Sequence, residues 1–386
     1  MNLKKGSEKS GHYKNRGNGM KKFKSKLLKF LSAVVITVIA LSTVSYGTVY
    51  AEETSVPTSE KLGSLFINED NFIDTMKTVV EPYLDSITKS GYIVGENEGK
   101  LYYETYVVPN AKGSIVISHG FTENLSKYRE MVYYFTKQGY SVYAMEHRGH
   151  GYSVNLGVKD STQINVEKFD YYVTDLKKFL DEIVIPNKGE EKLLLYAHSM
   201  GGGIGAKFLE DYPGYFDAAI LSSPMLEINT GNVPSWIAKI IACGAVTFSM
   251  ADNYVSGQGP YEEVYDFDGS GATSKNRYDY AYEITCNTEE YKKGGASYRW
   301  LQESFNATKK IIDKNNASKV EIPVLLFQAD NDTYVNDGGQ NTFAKYAKNC
   351  ELVFVEGSKH ELYKQSDDIL TGYLDKVFEF YDNNVQ

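Results

Sequence analysis

Cysteine is nearly absent. Cys243, Cys286 and Cys350 are the only three in 386 residues, so at most one disulfide can form and a disulfide-stapled scaffold is excluded. No cluster of His and Cys has the spacing of a metal site, and no segment repeats, so neither a bound metal nor a solenoid is expected. Nothing calls for a cofactor. Positive charge is scarce outside the beginning of the chain. Residues 1–29 hold ten Lys or Arg and one Glu, which leaves about −18 on residues 52–386 out of a total of −9. A body that acidic repels phosphate backbones, which excludes nucleic acid as a partner. Histidine is scarce too: there are six, and only His360 follows Ser199.

The basic beginning is followed by an uncharged stretch of 22 residues, 30–51, ending Val49-Tyr50-Ala51 before Glu52-Glu53. A basic region, an apolar region and small residues at −3 and −1 describe a secretory signal, which predicts a secreted or cell-surface protein. The stretch is also long enough to span a bilayer, so an uncleaved N-terminal anchor is the alternative. It contains no cysteine, which excludes a lipid-modified cleavage site.

Beyond it, 91–94 and 100–108 read as an antiparallel pair. Apolar strands at 114–118, 141–145, 193–198 and 218–222 then alternate with amphipathic helices at 126–137, 166–183 and 200–211. That alternation predicts an α/β architecture, a mostly parallel sheet with helices on both faces. It stops after Pro224 and resumes at Val320, around an insertion with an apolar helix near 233–242 and a stretch rich in Tyr, Asp and Gly. The apolar helix suits an acyl channel, a membrane contact or ordinary packing within the insertion equally well.

The most informative segment is Leu193-Leu194-Leu195-Tyr196-Ala197-His198-Ser199-Met200-Gly201-Gly202-Gly203. A serine hydroxyl is a weak nucleophile and needs to be exposed on a sharp turn, beside a base and hydrogen-bond donors. A strand running into serine and then a helix makes such a turn, with G-x-S-x-G as the usual pattern. Ala197 replaces the first glycine and still avoids a bulky side chain. Two competing readings are a simple helix N-cap and a dinucleotide fingerprint in Gly201-Gly202-Gly203-Ile204-Gly205-Ala206. The fingerprint lacks the acidic residue expected about 20 positions on, where Ser222-Ser223-Pro224 stands instead.

In folds with this elbow the order is Ser, acid, His. His360, in the loop after the strand 353–355, is the single candidate base. The acid belongs at the end of the apolar strand 324–328, where Asp330 and Asp332 compete. A second oxyanion donor is expected after the strand ending Ser118-His119-Gly120, at the amide of Phe121, alongside that of Met200.

Four segments together resemble an α/β-hydrolase of the monoacylglycerol lipase and lysophospholipase branch. They are Ser118-His119-Gly120-Phe121, the stretch from Glu146-His147-Arg148-Gly149-His150-Gly151 to Ser153, the serine elbow, and the pair Asp330-Asn331-Asp332-Thr333-Tyr334-Val335 with Ser358-Lys359-His360-Glu361. The resemblance implies an eight-stranded α/β-hydrolase fold with a helical cap. It selects Asp332 over Asp330 and gives the Arg148-Gly149-His150-Gly151 turn a structural part. Residues 273–278 and 294–304 are similar to the cap of bacterial L2-type lysophospholipases. The expected organisation is a leader at 1–51, core at 52–228, cap at 229–316 and core at 317–386. The implied activity is release of a fatty acid from a lysophospholipid or monoacylglycerol, with the lipid or ester substrate as partner and a membrane contact through cap or leader. A general carboxylesterase, an aminopeptidase-like hydrolase and a non-catalytic surface binding module are the other readings; oligomeric state is left open.

Overall fold

The computed structural model describes residues 59–386. The leader predicted at 1–51 lies outside them. Eight strands form one sheet: β1 (Thr88–Val94), β2 (Lys100–Tyr106), β3 (Gly113–Ser118), β4 (Tyr140–Met145), β5 (Leu193–His198), β6 (Ala218–Ser222), β7 (Val324–Ala329) and β8 (Cys350–Val355). Their order is β1-β2-β4-β3-β5-β6-β7-β8. β1, β2 and β4 pair antiparallel and the others parallel.

The central strands are apolar on both faces because both faces are covered. Along β5, Leu193, Leu195 and Ala197 enter one core with Phe179, Ile204, Trp300 and Phe343. Leu194 and Tyr196 alternate into the other, with Val80, Phe135, Leu374 and Phe378. β3 leads outward to β4 on one side and neighbours β5 on the other, so the chain reverses its direction of growth between β3 and β5. The loops leaving the carboxyl ends of these two strands therefore flank a crevice, where open α/β sheets place their ligands. Those loops carry Phe121 and Ser199.

Two helices begin differently from the sequence expectation. The one expected at 166–183 runs Asp170–Phe179 and continues through a π-helical turn, Leu180–Val184. Val166 and Phe169 turn into the core instead, and the Glu303 carboxylate accepts the Phe169 N–H at 3.2 Å. The helix expected from 126 opens as a 3-10 turn, Leu125–Tyr128, capped by Asn124. Before β1, residues 72–87 form a further helical run that buries Phe72, Met76, Val80 and Leu84.

The insertion between β6 and β7 contains helices Ser235–Thr247, Lys275–Asn287 and Tyr298–Ile311. The last is rooted in the sheet core through Trp300, Ala307 and Ile311, while Ser235–Thr247 packs on its outer side and buries only Ala242 and Ala245. All three cysteines are free.

Candidate active site

β5 ends by placing Ser199 at φ +51° and ψ −119°. A non-glycine residue rarely holds such a backbone unless its surroundings over-determine it. Here the Ser199 N–H donates to Ser222 O, and Ser199 O accepts from the N–H groups of Gly203 and Met225 at 3.1 and 2.7 Å. The helix Met200–Asp211 can start this close only because glycine follows. A Cβ on Gly201 would stand 2.1 Å from the Ser118 carbonyl oxygen, and one on Gly203 2.8 Å from that of Met225. Ala197, the departure from the usual motif, is accommodated by Gly205, whose added Cβ would lie 3.1 Å from the alanine methyl.

Ser199 Oγ lies 2.8 Å from His360 Nε2, and His360 Nδ1 lies 2.6 Å from Asp332 Oδ2. A carboxylate can only accept, so Nδ1 carries the proton and Nε2 presents its lone pair to the serine. The other oxygen, Asp332 Oδ1, accepts the N–H groups of Tyr334 and Val335 at 2.8 and 3.0 Å. Burial works against the Asp332 charge, but His360 and these two amides outweigh it and hold the carboxyl below its ordinary range. Asp330, the competing candidate, instead accepts the Gly357 N–H at 3.0 Å and braces the turn before His360. The structure thus brings Ser199, His360 and Asp332 together and leaves Asp330 outside.

Phe121 and Met200 flank the serine. A Cβ on Gly120 would lie 3.1 Å from Ser199 Cβ, so the loop after β3 passes directly over it. Met200 opens the elbow helix, where N–H groups and the positive dipole end point out of the helix. Among the described residues no hydrogen bond engages either N–H. The Phe121 ring packs against Trp300 of the cap at 4.6 Å. A strap of the cap covers the histidine loop: Gly271 O accepts the Glu361 N–H at 2.8 Å, and Tyr334 Oη donates to Gly269 O at 3.3 Å.

The remaining described histidines are packing groups. Burial holds His119 and His198 down to about 4 and His147 and His150 well below the ordinary value, so all four are neutral. Ser118 Oγ lies 2.9 Å from His147 Nε2 and 3.2 Å from Gly201 O, pinning the elbow helix to β3. Both side chains are fully buried, and His147 Nδ1 has no carboxylate partner, so this second Ser–His contact lacks the parts of a nucleophile. Arg148 is bidentate to Asp175 at 2.6 and 2.9 Å, and a Cβ on Gly151 would fall 2.0 Å from the Glu146 carboxylate. These contacts brace that turn against Asp175 and Glu146. Among the described residues no group of three His, Cys, Asp or Glu is placed to hold a metal.

Sequence reasoning missed the buried groups behind the serine. Glu123 accepts the Gly120 N–H and the hydroxyls of Tyr128 and Tyr363, and buried Lys364 with the partly buried Lys127 and Glu361 forms an ion cluster beside it. Only their sequence neighbours hinted at them: Glu123 and Lys127 follow Phe121 closely, and Glu361 follows His360.

The profile of the hydrolase family described as Serine aminopeptidase, S33 matches residues 109–367. The chain is 27% identical to a probable lysophospholipase L2 of Haemophilus influenzae, over 76% of this chain and 92% of that protein. It is 28% identical to lysophospholipase L2 of Escherichia coli K12, over 70% and 80% respectively. Among solved structures it is similar to a soluble variant of the monoglyceride lipase of Saccharomyces cerevisiae bound to a substrate analogue. That likeness has a TM-score of 0.63 at 19% identity and covers 78% of this chain and 96% of the other.

Proposed function

The chain belongs to the Serine aminopeptidase, S33 family of α/β-hydrolases and is a serine hydrolase like the lysophospholipases and monoglyceride lipases; from that premise we propose that it releases a fatty acid from single-chain glycerolipids, with Ser199 as nucleophile. The observation that carries this reading is the unbroken relay from Ser199 through His360 to Asp332.

Ser199 Oγ attacks the acyl carbonyl as His360 Nε2 takes its proton, and Asp332 stabilises the imidazolium that results. The carbonyl oxygen becomes an oxyanion received by the N–H groups of Phe121 and Met200; losing one such donor costs on the order of 100- to 1,000-fold in rate. His360 then returns the proton to the departing alcohol, leaving an acyl-Ser199 ester. A water activated by His360 hydrolyses that ester and frees the fatty acid.

The outer cap helix supports a lipid substrate. Trp236 and Ile240 on it, and Phe248 at its C-terminal cap, are 66, 62 and 74% exposed, an apolar surface suited to an acyl chain or a membrane face. The basic and apolar leader supports export, with the hydrolase acting outside the membrane. Among the described residues no helix is long and apolar enough to cross a membrane. An aminopeptidase would need a carboxylate available for the substrate's amino terminus. Glu361, next to the base, is already paired with Lys127 and Lys364 at 3.3 and 3.4 Å.

The test is kcat/KM on lysophosphatidylcholine, monoacylglycerol, a short nitrophenyl ester and an aminoacyl amide. The reading expects one of the two lipids to lead. Preference for the short ester would reassign the protein as a general esterase, and turnover of the amide alone would overturn the lipid reading.

A further inference from the structure

The N–H of Phe121 can act as an oxyanion donor only if the peptide joining Gly120 to Phe121 is held in one orientation. In a trans peptide the carbonyl and the following N–H point in opposite directions, so whatever grips the Gly120 carbonyl aims the Phe121 N–H. His119 Nδ1 lies 2.8 Å from Gly120 O. The His147 N–H donates to His119 Nε2 at 2.9 Å, which leaves Nδ1 as the protonated nitrogen and makes it a donor to that carbonyl.

The other side of Gly120 is gripped by Glu123. Its Oε2 accepts the Gly120 N–H, and its own backbone N–H reaches Gly120 O at 3.4 Å. The carboxylate is itself fixed from two other elements: Tyr128 Oη donates to Oε2, and Tyr363 Oη donates to Oε1 at 2.6 Å. Tyr128 stands at the start of the helix after β3, and Tyr363 stands three residues after His360. Burial opposes the Glu123 charge, and neighbouring cations hold its carboxyl below the ordinary value. His198, at 3.5 Å from Oε1, is itself kept neutral by burial, so at neutral pH the compensating cation is Lys127.

We propose that Glu123 is a positioning residue for the oxyanion: its carboxylate, tied to the two tyrosines, fixes Gly120 from its N–H side while His119 holds the Gly120 carbonyl, so that the Phe121 N–H faces the Ser199 carbonyl adduct. The Glu123 carboxylate hydrogen-bonds to Gly120, Tyr128 and Tyr363 and, among the described residues, to no member of the triad. Its effect reaches catalysis through one backbone donor, and it is confined to states in which negative charge has developed on the substrate oxygen. This rests on the assignment of Ser199 as nucleophile.

His198 Nδ1 contacts the Ser222 carbonyl at 3.1 Å and so carries the proton, which leaves Nε2 as an acceptor facing Glu123 Oε1. A glutamine at 123 would keep an oxygen for Gly120 and Tyr128 and turn its NH2 group toward the His198 ring and Tyr363 Oη. That hydroxyl then accepts from the amide and turns its hydrogen to Glu361 Oε1, 3.4 Å away. The conservative variant should therefore preserve the lock, and truncation should release it.

The experiment compares wild type, Glu123→Gln and Glu123→Ala in hydrolysis of a nitrophenyl ester. It also compares their binding of an alkyl boronic acid, which forms a tetrahedral anion on the serine, and of a non-hydrolysable ether lipid. In Glu123→Ala, kcat should fall about 10- to 100-fold with KM within about twofold, since one donor is misaligned and not deleted. Boronate affinity should fall in parallel, ether-lipid affinity should stay within about twofold, and Glu123→Gln should recover most of the loss. If Glu123→Ala does not fold, Tyr128→Phe frees the same carboxylate oxygen while keeping the ring. It should lower kcat and boronate affinity together by about threefold. A folded Glu123→Ala or Tyr128→Phe with unchanged kcat and boronate affinity overturns the proposal, as does an equal loss of ether-lipid and boronate binding. A wild type that neither turns over the ester nor binds the boronate overturns the Ser199 assignment instead.

Discussion

Replacing Asp332 by Asn removes one charge and almost no volume, and the structure determines what the amide does next. The N–H groups of Tyr334 and Val335 both donate to Oδ1, so the asparagine must keep its oxygen there. Its NH2 group then faces His360 Nδ1, which sits 2.6 Å from the other carboxylate oxygen. Two donors cannot face each other, so the imidazole shifts its proton to Nε2. That proton now points at Ser199 Oγ, and the base has no lone pair with which to accept the serine hydrogen. A wrong tautomer of this kind costs about 10⁴ in kcat, a barrier increase of about 5.5 kcal/mol. Asp330→Asn is the control. Its carboxylate only accepts the Gly357 N–H at the surface, which an asparagine oxygen also does, so kcat should stay within about threefold. The assay is ester hydrolysis with thermal melts to show that both variants fold. Equal losses, or an Asp332→Asn retaining more than about a tenth of the activity, would refute this reasoning.

Four further outcomes follow from packing and charge. Gly201→Ala should abolish activity or folding, because its methyl would meet the Ser118 carbonyl at 2.1 Å. Gly244→Ala, in open space on the outer cap helix, should raise stability by about 0.5–1 kcal/mol in denaturant titrations. Arg277 is buried and bonds Glu130 and Asp367 with the Ile67 carbonyl, so Arg277→Met should destabilise by about 3–5 kcal/mol, and a loss below 1 kcal/mol would contradict the clamp. Burial pushes the Glu146 carboxyl up to about 8 from 4.5. The folded chain therefore holds a proton that the unfolded chain releases, and stability is full below pH 4.5 and declines as the pH rises to about 8. Glu146→Gln should flatten that decline in melts run from pH 4.5 to 8, and an unchanged slope would contradict it.

Much of the site was legible because its signals are local. The apolar run 193–198, the small residues around Ser199 and the single later histidine all sit in short segments. The choice between Asp330 and Asp332 was not local. Both occupy one strand-end loop, and only the direction of each carboxylate separates them, so the family resemblance had to decide. The helical run 72–87 escaped notice although Phe72, Met76, Val80 and Leu84 recur at four-residue steps, because Pro82 and the β-branched Thr78-Val79-Val80 obscure the pattern. Glu123 and Arg277 were illegible for a different reason. Tyr363 lies 240 residues from Glu123, and Glu130 lies 147 from Arg277, distances at which no spacing rule operates. Buried charges of this sort become interpretable only when the fold brings their partners together.

The account stands on Ser199 as the nucleophile, and an active-site-directed fluorophosphonate addresses it directly. Intact mass should show one adduct per chain and peptide mapping should place it on Ser199, with labelling lost in Ser199→Ala and slowed by orders of magnitude in His360→Ala. An adduct on another serine such as Ser118, or labelling of Ser199→Ala at the wild-type rate, would contradict it.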